Sequence, residues 1–237
     1  MSHQIFPDGA NLIAMLQNAT SNQLGRTFDL STIGQSMSEI ERKYDVGKDD
    51  ITADWSRWLA KVASLVNDRA IQKSEMLITF AGIDLYYLVE GHRDDQYNFR
   101  YRFGSNQPPN LEVKWQLEKE NNESRGEVKL KVGDTKPDNV RALMAVVGTL
   151  SKSCHHFCIH QSGNIWNFRT QSALVEVVVY KVGPLEKHST HVFVEIEPRK
   201  YNDAEHALKV ISWFEKRLGL EQYRCRESIA EIFGPKS

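Results

Sequence analysis

The segment SEIERKYDV, residues 38–46, decides the fold because its charged side chains alternate with uncharged ones. Along a β-strand, successive side chains point to opposite faces. One face would then carry Glu39, Glu41, Lys43 and Asp45, and the other Ile40, Tyr44 and Val46. A charged strand face either meets water or binds a ligand, and the pattern of the other strands decides between these two interpretations.

Four later segments repeat the alternation. They are NFRYRFG at 98–104, LEVKWQLE at 111–118, RGEVKLKV at 125–132 and THVFVEIEP at 190–198. Both basic and acidic faces recur, and unpaired buried charge is costly, so the charges of one interior must pair with each other or with a ligand. The sequence therefore predicts an α+β fold: a closed, mostly antiparallel eight-stranded β-barrel with a charged interior and helices packed outside.

Helices are predicted on both sides of these strands. Apolar residues recur at helical spacing in residues 52–68 and 203–218, and a further helix is predicted at 138–150. Residues 9–18 predict a short amphipathic helix in front of a polar connector. We therefore divide the chain into an N-terminal helical extension, residues 1–36, and a tunnel domain, residues 37–237, named after the charged interior of the predicted barrel.

Composition excludes several classes of function. The 237-residue chain has a formal net charge of −1, so no overall basic field attracts duplex nucleic acid or an anionic membrane. It has three cysteines, and no run of 18 apolar residues is present. These features predict a soluble, cytoplasmic protein without a disulfide framework. Its partner is expected to be a small anion rather than a membrane or a duplex, and composition does not define the oligomeric state.

Carboxylates and basic groups in one interior predict a polyanion bound together with metal ions. Hard divalent cations take carboxylate oxygens, and Mg²⁺ is usually shared between one or two protein carboxylates and substrate phosphates. The expected ligand is therefore a small polyanion that carries phosphate groups and binds together with a divalent cation such as Mg²⁺.

These residues carry a resemblance to a known family. EIERK at 39–43 resembles the ExExK signature of the CYTH-type triphosphate tunnel metalloenzymes, which include thiamine triphosphatases, inorganic tripolyphosphatases and class IV adenylyl cyclases. The order of the later segments is similar to that family as well. They are IDLYYL at 83–88, FRYR at 99–102, LEVK at 111–114, SRGEVKL at 124–130, VFVEIE at 192–197 and a last helix near SIAEIF at 228–233.

The resemblance implies roles for individual residues. The metal ligands would be Glu39, Glu41, Glu195 and Glu197, and the phosphate-binding residues Lys43, Arg100, Arg102 and Lys114. Glu41, Lys43 and Arg102 would be catalytic, and additional site residues are Glu127, Lys129, His156 and Glu176. The implied reaction is metal-dependent hydrolysis of inorganic, nucleoside or thiamine triphosphate with release of orthophosphate, which needs no protein nucleophile.

The chain departs from the family pattern at several positions. Leu88 and Lys129 stand where the family usually has acids, and EVVVYKV offers Glu176 and Tyr180 where an aspartate is common. KSCHHFCIHQ, residues 152–161, replaces a strand rich in lysine and arginine, so histidines such as His156 would line the tunnel there. Its Cys and His residues are also typical zinc ligands, but residues of one strand face do not surround a single ion.

Two alternatives to hydrolysis stay open. A nucleotidyl cyclase of the class IV type would use the same metals and phosphate contacts. A non-catalytic tunnel protein would bind a nucleotide or polyphosphate without turning it over, and the missing acids favour this possibility.

Overall fold

The computed structural model describes residues 37–47, 51–90, 96–104, 107–118, 121–131, 154–184 and 190–234. The predicted extension 1–36 and the predicted helix at 138–150 lie outside these residues.

One antiparallel sheet organises the described part of the chain. Its strands are β1 (Met37–Ile40), β2 (Arg42–Gly47), β3 (Lys73–Glu90), β4 (Gln96–Gly104), β5 (Gln107–Glu118), β6 (Asn121–Lys131), β7 (Cys154–Arg169), β8 (Leu174–Pro184), β9 (His191–Lys200) and β10 (Arg224–Cys225). The hydrogen-bonded order is β1-β6-β5-β4-β3-β7-β8-β9-β2-β10. The predicted α+β class and the antiparallel pairing are confirmed.

The segment that opened the sequence analysis forms two strands instead of one. β1 ends at Ile40 and β2 begins at Arg42, so Glu41 alone separates them. β1 pairs with β6, whereas β2 pairs with β9 and β10, so the two strands stand near opposite ends of the hydrogen-bonded order. The described pairings therefore form a ladder with two ends and not the closed ring that the sequence predicted.

One face of the sheet, here called the core face, is apolar and covered by helices. Its β-branched and aromatic residues, among them Tyr44, Val177 and Val194, are fully buried. Helices α1 (Ile51–Ser64) and α2 (Ala204–Leu218) pack on it through residues spaced at helical intervals, which are Trp58 and Val62 in α1 and Ala207, Ile211, Phe214 and Leu218 in α2. A 3₁₀ turn, Leu65–Asn67, follows α1.

The ends of α2 follow from its sequence. The side chain of Asp203 accepts a hydrogen bond from the backbone N–H of His206, which caps the first turn. Gly219 ends the helix at a φ of 63°, a left-handed conformation that glycine adopts without steric cost. The predicted helices at 52–68 and 203–218 are thus present. In the described part of the chain, no helix is long and apolar enough to span a membrane.

A third helix, α3 (Ile229–Phe233), packs on the opposite face of the sheet. Ser228 and Glu231 form a reciprocal capping box at its start, as expected for a Ser-x-x-Glu sequence. Ile229, Ile232 and Phe233 contact a cluster of buried residues that includes Tyr86, Ile159, Tyr180 and Phe193. The C-terminal segment therefore covers part of the face that the charged residues occupy.

Gly163 lets strands β7 and β8 approach closely on that same face. A Cβ at this position would lie 2.5 Å from the carbonyl oxygen of Val179 and 2.6 Å from Cβ of Tyr180. No side chain fits there without a backbone shift, so the glycine makes room for Tyr180.

Candidate functional site

Strand register identifies the charged side chains that share one face. Directly paired residues of an antiparallel sheet lie on the same face. Lys43 pairs with Glu195, Asp84 with Arg102, and Arg100 with Glu112. We call the face that carries these six residues the charged face; it lies opposite the core face.

Asp84 is the centre of a buried network on the charged face. Its carboxylate is 0% exposed, and it accepts two hydrogen bonds from Arg102, from Nε to Oδ1 and from Nη2 to Oδ2, each of 2.9 Å. Nε2 of Gln161 lies 3.2 Å and 3.1 Å from the same two oxygens. The fork of Arg102 is therefore held in a single orientation by a carboxylate, a geometry to which a guanidinium is well matched.

Arg100, two residues before Arg102 on the same face of β4, joins the network. Its Nη2 donates to Oε2 of Glu112, and its Nη1 lies 3.7 Å from Oδ2 of Asp84. Burial disfavours its charge, but Glu112, Tyr86 and Asp84 outweigh burial and hold the pKa of Arg100 well above its ordinary value. Two guanidinium groups and two carboxylates thus lie together in one cluster.

Two acidic side chains lie near Tyr180, Glu195 on β9 and Glu41 between β1 and β2. Tyr180 donates its hydroxyl hydrogen to Oε1 of Glu195 over 2.6 Å. Burial raises the pKa of Tyr180 well above its ordinary value, and the nearby charges of Glu195 and Glu41 raise it further, so the hydroxyl stays a donor. Glu41 itself is buried, with 8% of its surface exposed.

Glu197 lies farther along β9, directly paired with Glu176 of β8. The guanidinium of Arg199 bridges these two carboxylates, with Nη2 lying 2.7 Å from Oε1 of Glu176 and Nη1 bonded to Oε1 of Glu197. Two predicted site residues are therefore brought together, and a cation of the chain itself binds them.

Lys43 is tied to the C-terminal segment. Its ammonium donates to the backbone carbonyl of Glu227 at 2.5 Å and lies 5.4 Å from the ring centroid of Phe193. The predicted phosphate-binding lysine therefore also anchors the chain that leads into α3.

For five predicted site residues, the structure defines the strand pairing but does not describe the side chain. Glu39 pairs with Arg125, Lys114 with Glu127, and Lys129 with Glu112. His156 pairs with Tyr87, one position out of phase with Tyr86, whose partner is Phe157. The register therefore places position 156 on the face opposite Asp84 and Tyr86, which differs from its predicted place on the tunnel wall.

Alternation within a strand does not show which of its two faces meets the charged residues of the next strand. That choice depends on the pairing of β7 with β3, where the odd-numbered residues Phe157, Ile159 and Gln161 share the face of Asp84.

Four residues of these contacts were not predicted as site residues: Asp84, Glu112 and Gln161 in the buried network, and Arg199 between Glu176 and Glu197. Glu112 lies two positions before Lys114 and so shares its strand face, a signal that could have identified it. Asp84 entered the sequence analysis only through the IDLYYL segment. Nothing in the sequence around Gln161 or Arg199 distinguishes them from surface residues.

Within the ranges that the structure describes, no group of three or more His, Cys, Asp or Glu side chains is arranged to hold a metal ion. The described carboxylates contact donor side chains of the chain itself, as Glu195 does with the hydroxyl of Tyr180 and Glu197 with the guanidinium of Arg199.

No protein-family model and no curated protein matches the chain. Among solved structures, the PH1012 protein from Pyrococcus horikoshii OT3 matches 83% of this chain and 99% of its own, with a TM-score of 0.56 and 21% identity. The PH1819 protein of the same organism matches 82% of this chain and 97% of its own, with a TM-score of 0.54 and 16% identity.

A third match is the putative adenylyl cyclase HpAC1 from Hippeastrum, described as having a dominant triphosphatase activity. It covers 77% of this chain and 88% of its own, with a TM-score of 0.43 and 13% identity. At the identities of the first two matches, the likeness shows that this chain shares a common fold with those two proteins.

Proposed function

We propose that this chain hydrolyses a small triphosphate, inorganic, nucleoside or thiamine, in a Mg²⁺- or Mn²⁺-dependent reaction that releases orthophosphate. The observation that carries the proposal is the charged face, where Lys43, Arg100 and Arg102 lie on one surface with Glu195 and Glu197, and where the charge of Glu41 acts on Tyr180. The resemblance of the ordered sequence segments to the triphosphate tunnel enzymes supports it.

Continuity between β1 and β2 supports a closed tunnel around this face. The two strands stand near opposite ends of the sheet, yet only Glu41 separates them in sequence. The described order links them through eight pairings, all antiparallel, so β1 and β2 run in the same direction. A single strand that pairs with β6 in its first half and with β9 in its second would close the barrel, with the charged face inside.

The donor set fits a hard divalent cation. Glu41, Glu195 and Glu197, with Glu39 on the adjoining strand, offer carboxylate oxygens, which Mg²⁺ and Mn²⁺ prefer. Mg²⁺ needs only one or two protein carboxylates when substrate phosphates complete its shell, so a pair is sufficient. When bound, the cation would neutralise phosphate oxygens and lower the pKa of a coordinated water.

The chain's own residues would bind and orient the substrate. The guanidinium groups of Arg100 and Arg102 present fixed donors to phosphate oxygens, and Lys43 adds a point charge. Phosphoryl transfer spreads negative charge over the transferred oxygens, so preorganised cations stabilise the transition state more than they stabilise the substrate. The site would exclude bulk water from these contacts because Lys43 is 5% exposed and Glu112 is 2% exposed.

A non-catalytic triphosphate-binding protein is the second candidate, and a specific observation favours it. Charged residues of the proposed site already pair within the chain, Arg102 with Asp84 and Glu197 with Arg199. Such internal neutralisation is compatible with a site that holds an anion without turning it over.

A panel of triphosphates tests the proposal. The purified full chain is incubated with tripolyphosphate, ATP or thiamine triphosphate in the presence of Mg²⁺ or Mn²⁺, and the products are identified by chromatography. We expect orthophosphate and a diphosphate from at least one substrate, and at least a hundredfold slower release in Arg102→Ala. Lys209→Ala, at an exposed position on α2, is the matched control.

Two other outcomes would overturn hydrolysis. Pyrophosphate with a cyclic nucleotide as the products would identify a cyclase. Tight, metal-dependent binding without any product would identify the binding protein.

A further inference from the structure

We infer that Asp84 is a positioning residue for anion binding, which holds the guanidinium of Arg102 in the orientation that receives a phosphate. The inference rests on the proposed function, because it concerns how the same charged face recognises its ligand. Neither the sequence resemblance nor the structural matches assign this role to Asp84.

The geometry of Asp84 differs from that of an ordinary surface ion pair. The carboxylate is fully buried, and each oxygen accepts a hydrogen bond from Arg102 and lies within hydrogen-bond distance of Nε2 of Gln161. The two residues that hydrogen-bond to Asp84 come from the neighbouring strands, Arg102 from β4 and Gln161 from β7. The carboxylate thus has little freedom to rotate, so the guanidinium of Arg102 that is bonded to it is also restricted in orientation.

The two hydrogen bonds from Arg102 to Asp84 use only some of the N–H groups of its guanidinium. Asp84 takes Nε and one hydrogen of Nη2, while a guanidinium carries five N–H donors. Arg102 is 21% exposed at its side chain, whereas Asp84 is inaccessible. An arriving phosphate can therefore reach Arg102 but not the carboxylate that orients it.

Two roles for Asp84 predict opposite effects of its removal. If Asp84 only neutralised the arginines, Asp84→Asn would add one net positive charge to the face and tighten anion binding. If it orients Arg102, the same change weakens binding, because an amide cannot accept both bonds of the fork and its NH₂ group faces another donor. The sign of the change in affinity decides between the two roles.

Calorimetric titration with tripolyphosphate in the absence of metal gives that sign. We expect Asp84→Asn to weaken binding about tenfold, in spite of the added positive charge. Asp45→Asn removes one negative charge beside Lys43 at a carboxylate bonded to His191; it is the matched control and should bind equally or more tightly. Equal or tighter binding by Asp84→Asn would overturn the inference.

Two further measurements keep the test decisive. If Asp84→Asn does not fold, Gln161→Leu loosens the carboxylate while preserving every charge, and we expect it to weaken binding by a smaller factor than tenfold; unchanged affinity in this variant would then overturn the inference. NMR detection of the Nε–H of Arg102 reports its orientation without any anion, and we expect a slowly exchanging signal that the substitution removes.

The NMR readout separates this inference from the proposed function. A wild-type protein that binds none of tripolyphosphate, ATP and thiamine triphosphate, with or without Mg²⁺, would overturn the proposed function, whereas a protected Nε–H of Arg102 would still show that Asp84 orients this side chain. Tripolyphosphate binding with an unprotected Nε–H would overturn the orienting role alone.

Discussion

The hydroxyl of Tyr180 donates a hydrogen bond of 2.6 Å to Oε1 of Glu195, which is one of the proposed metal ligands. The hydroxyl fixes the orientation of the carboxylate, since burial and the nearby charges keep the pKa of Tyr180 well above its ordinary range. Tyr180 therefore holds a proposed metal ligand of the charged face through a neutral donor.

Substitution of Tyr180 by Phe should weaken Mn²⁺ binding. A partner that orients a metal ligand typically contributes a factor of about ten or more to metal affinity. Titration calorimetry of the metal-free proteins with Mn²⁺ measures this affinity. The control is Tyr101→Phe, because Tyr101 is buried on β4 and points to the face opposite Arg100 and Arg102. Equal Mn²⁺ affinity in both variants would remove Tyr180 from the site.

Glu41→Gln should abolish Mn²⁺ binding and leave the fold intact, because the two side chains have nearly the same shape. In the metal-free protein its stability should stay equal or rise, since clustered carboxylates repel one another. Calorimetry measures the affinity and urea unfolding measures the stability. The control is Glu205→Gln, at an exposed position of α2. Retained Mn²⁺ affinity would show that Glu41 is not a ligand.

Lys43→Met should release α3 from the sheet. The bond from Lys43 to the carbonyl of Glu227 joins a charged donor to the C-terminal segment, and such bonds contribute about 1.5–3 kcal/mol. Hydrogen exchange of the amides of Ile232 and Gly234, which donate within α3, should become faster. Lys209→Met is the control, and unchanged exchange at both amides would contradict the anchoring role of Lys43.

The buried carboxylate of Glu215 should make stability depend on pH. It accepts a hydrogen bond of 3.0 Å from Arg42 and further bonds from Arg224. Burial raises the pKa of Glu215, but Arg224 and Arg42 outweigh it and hold this pKa below its ordinary value. Because the folded pKa is the lower one, the stabilisation is complete above the unfolded value of about 4.3 and is lost as pH falls through the folded value.

Glu215→Gln tests this assignment. We expect a loss of about 3–5 kcal/mol at pH 7, since Arg42 stays buried without its carboxylate. The variant should also lack the part of the acid-induced destabilisation that Glu215 causes. Urea unfolding between pH 3 and pH 7 measures both effects; a wild-type pH profile in Glu215→Gln would rule out the proposed linkage.

Local patterns were sufficient to predict the secondary structure around the site. Alternation of apolar and charged residues identified strands such as Gln107–Glu118, because a sheet with one buried face requires a period of two. Helix α2 was predicted with its stop at Gly219, because the apolar spacing and the glycine are both encoded locally. The antiparallel α+β class followed from these elements.

The functional network depended on contacts that local patterns do not encode. Gln161 lies 77 positions from Asp84 in sequence and contacts it only because β7 pairs with β3 in one particular register. The same register placed position 156 on the other face.

The sequence by itself thus determined which residues alternate, where helices begin and end, and which strands carry charge. Tertiary structure alone decided the break at Glu41, the bridging of Glu176 and Glu197 by Arg199, and the burial of Asp84. The physical reason is that a strand's period of two defines two faces but does not say which face of the next strand each will meet. Only the pairing of distant strands, stabilised by the whole sheet, makes that choice.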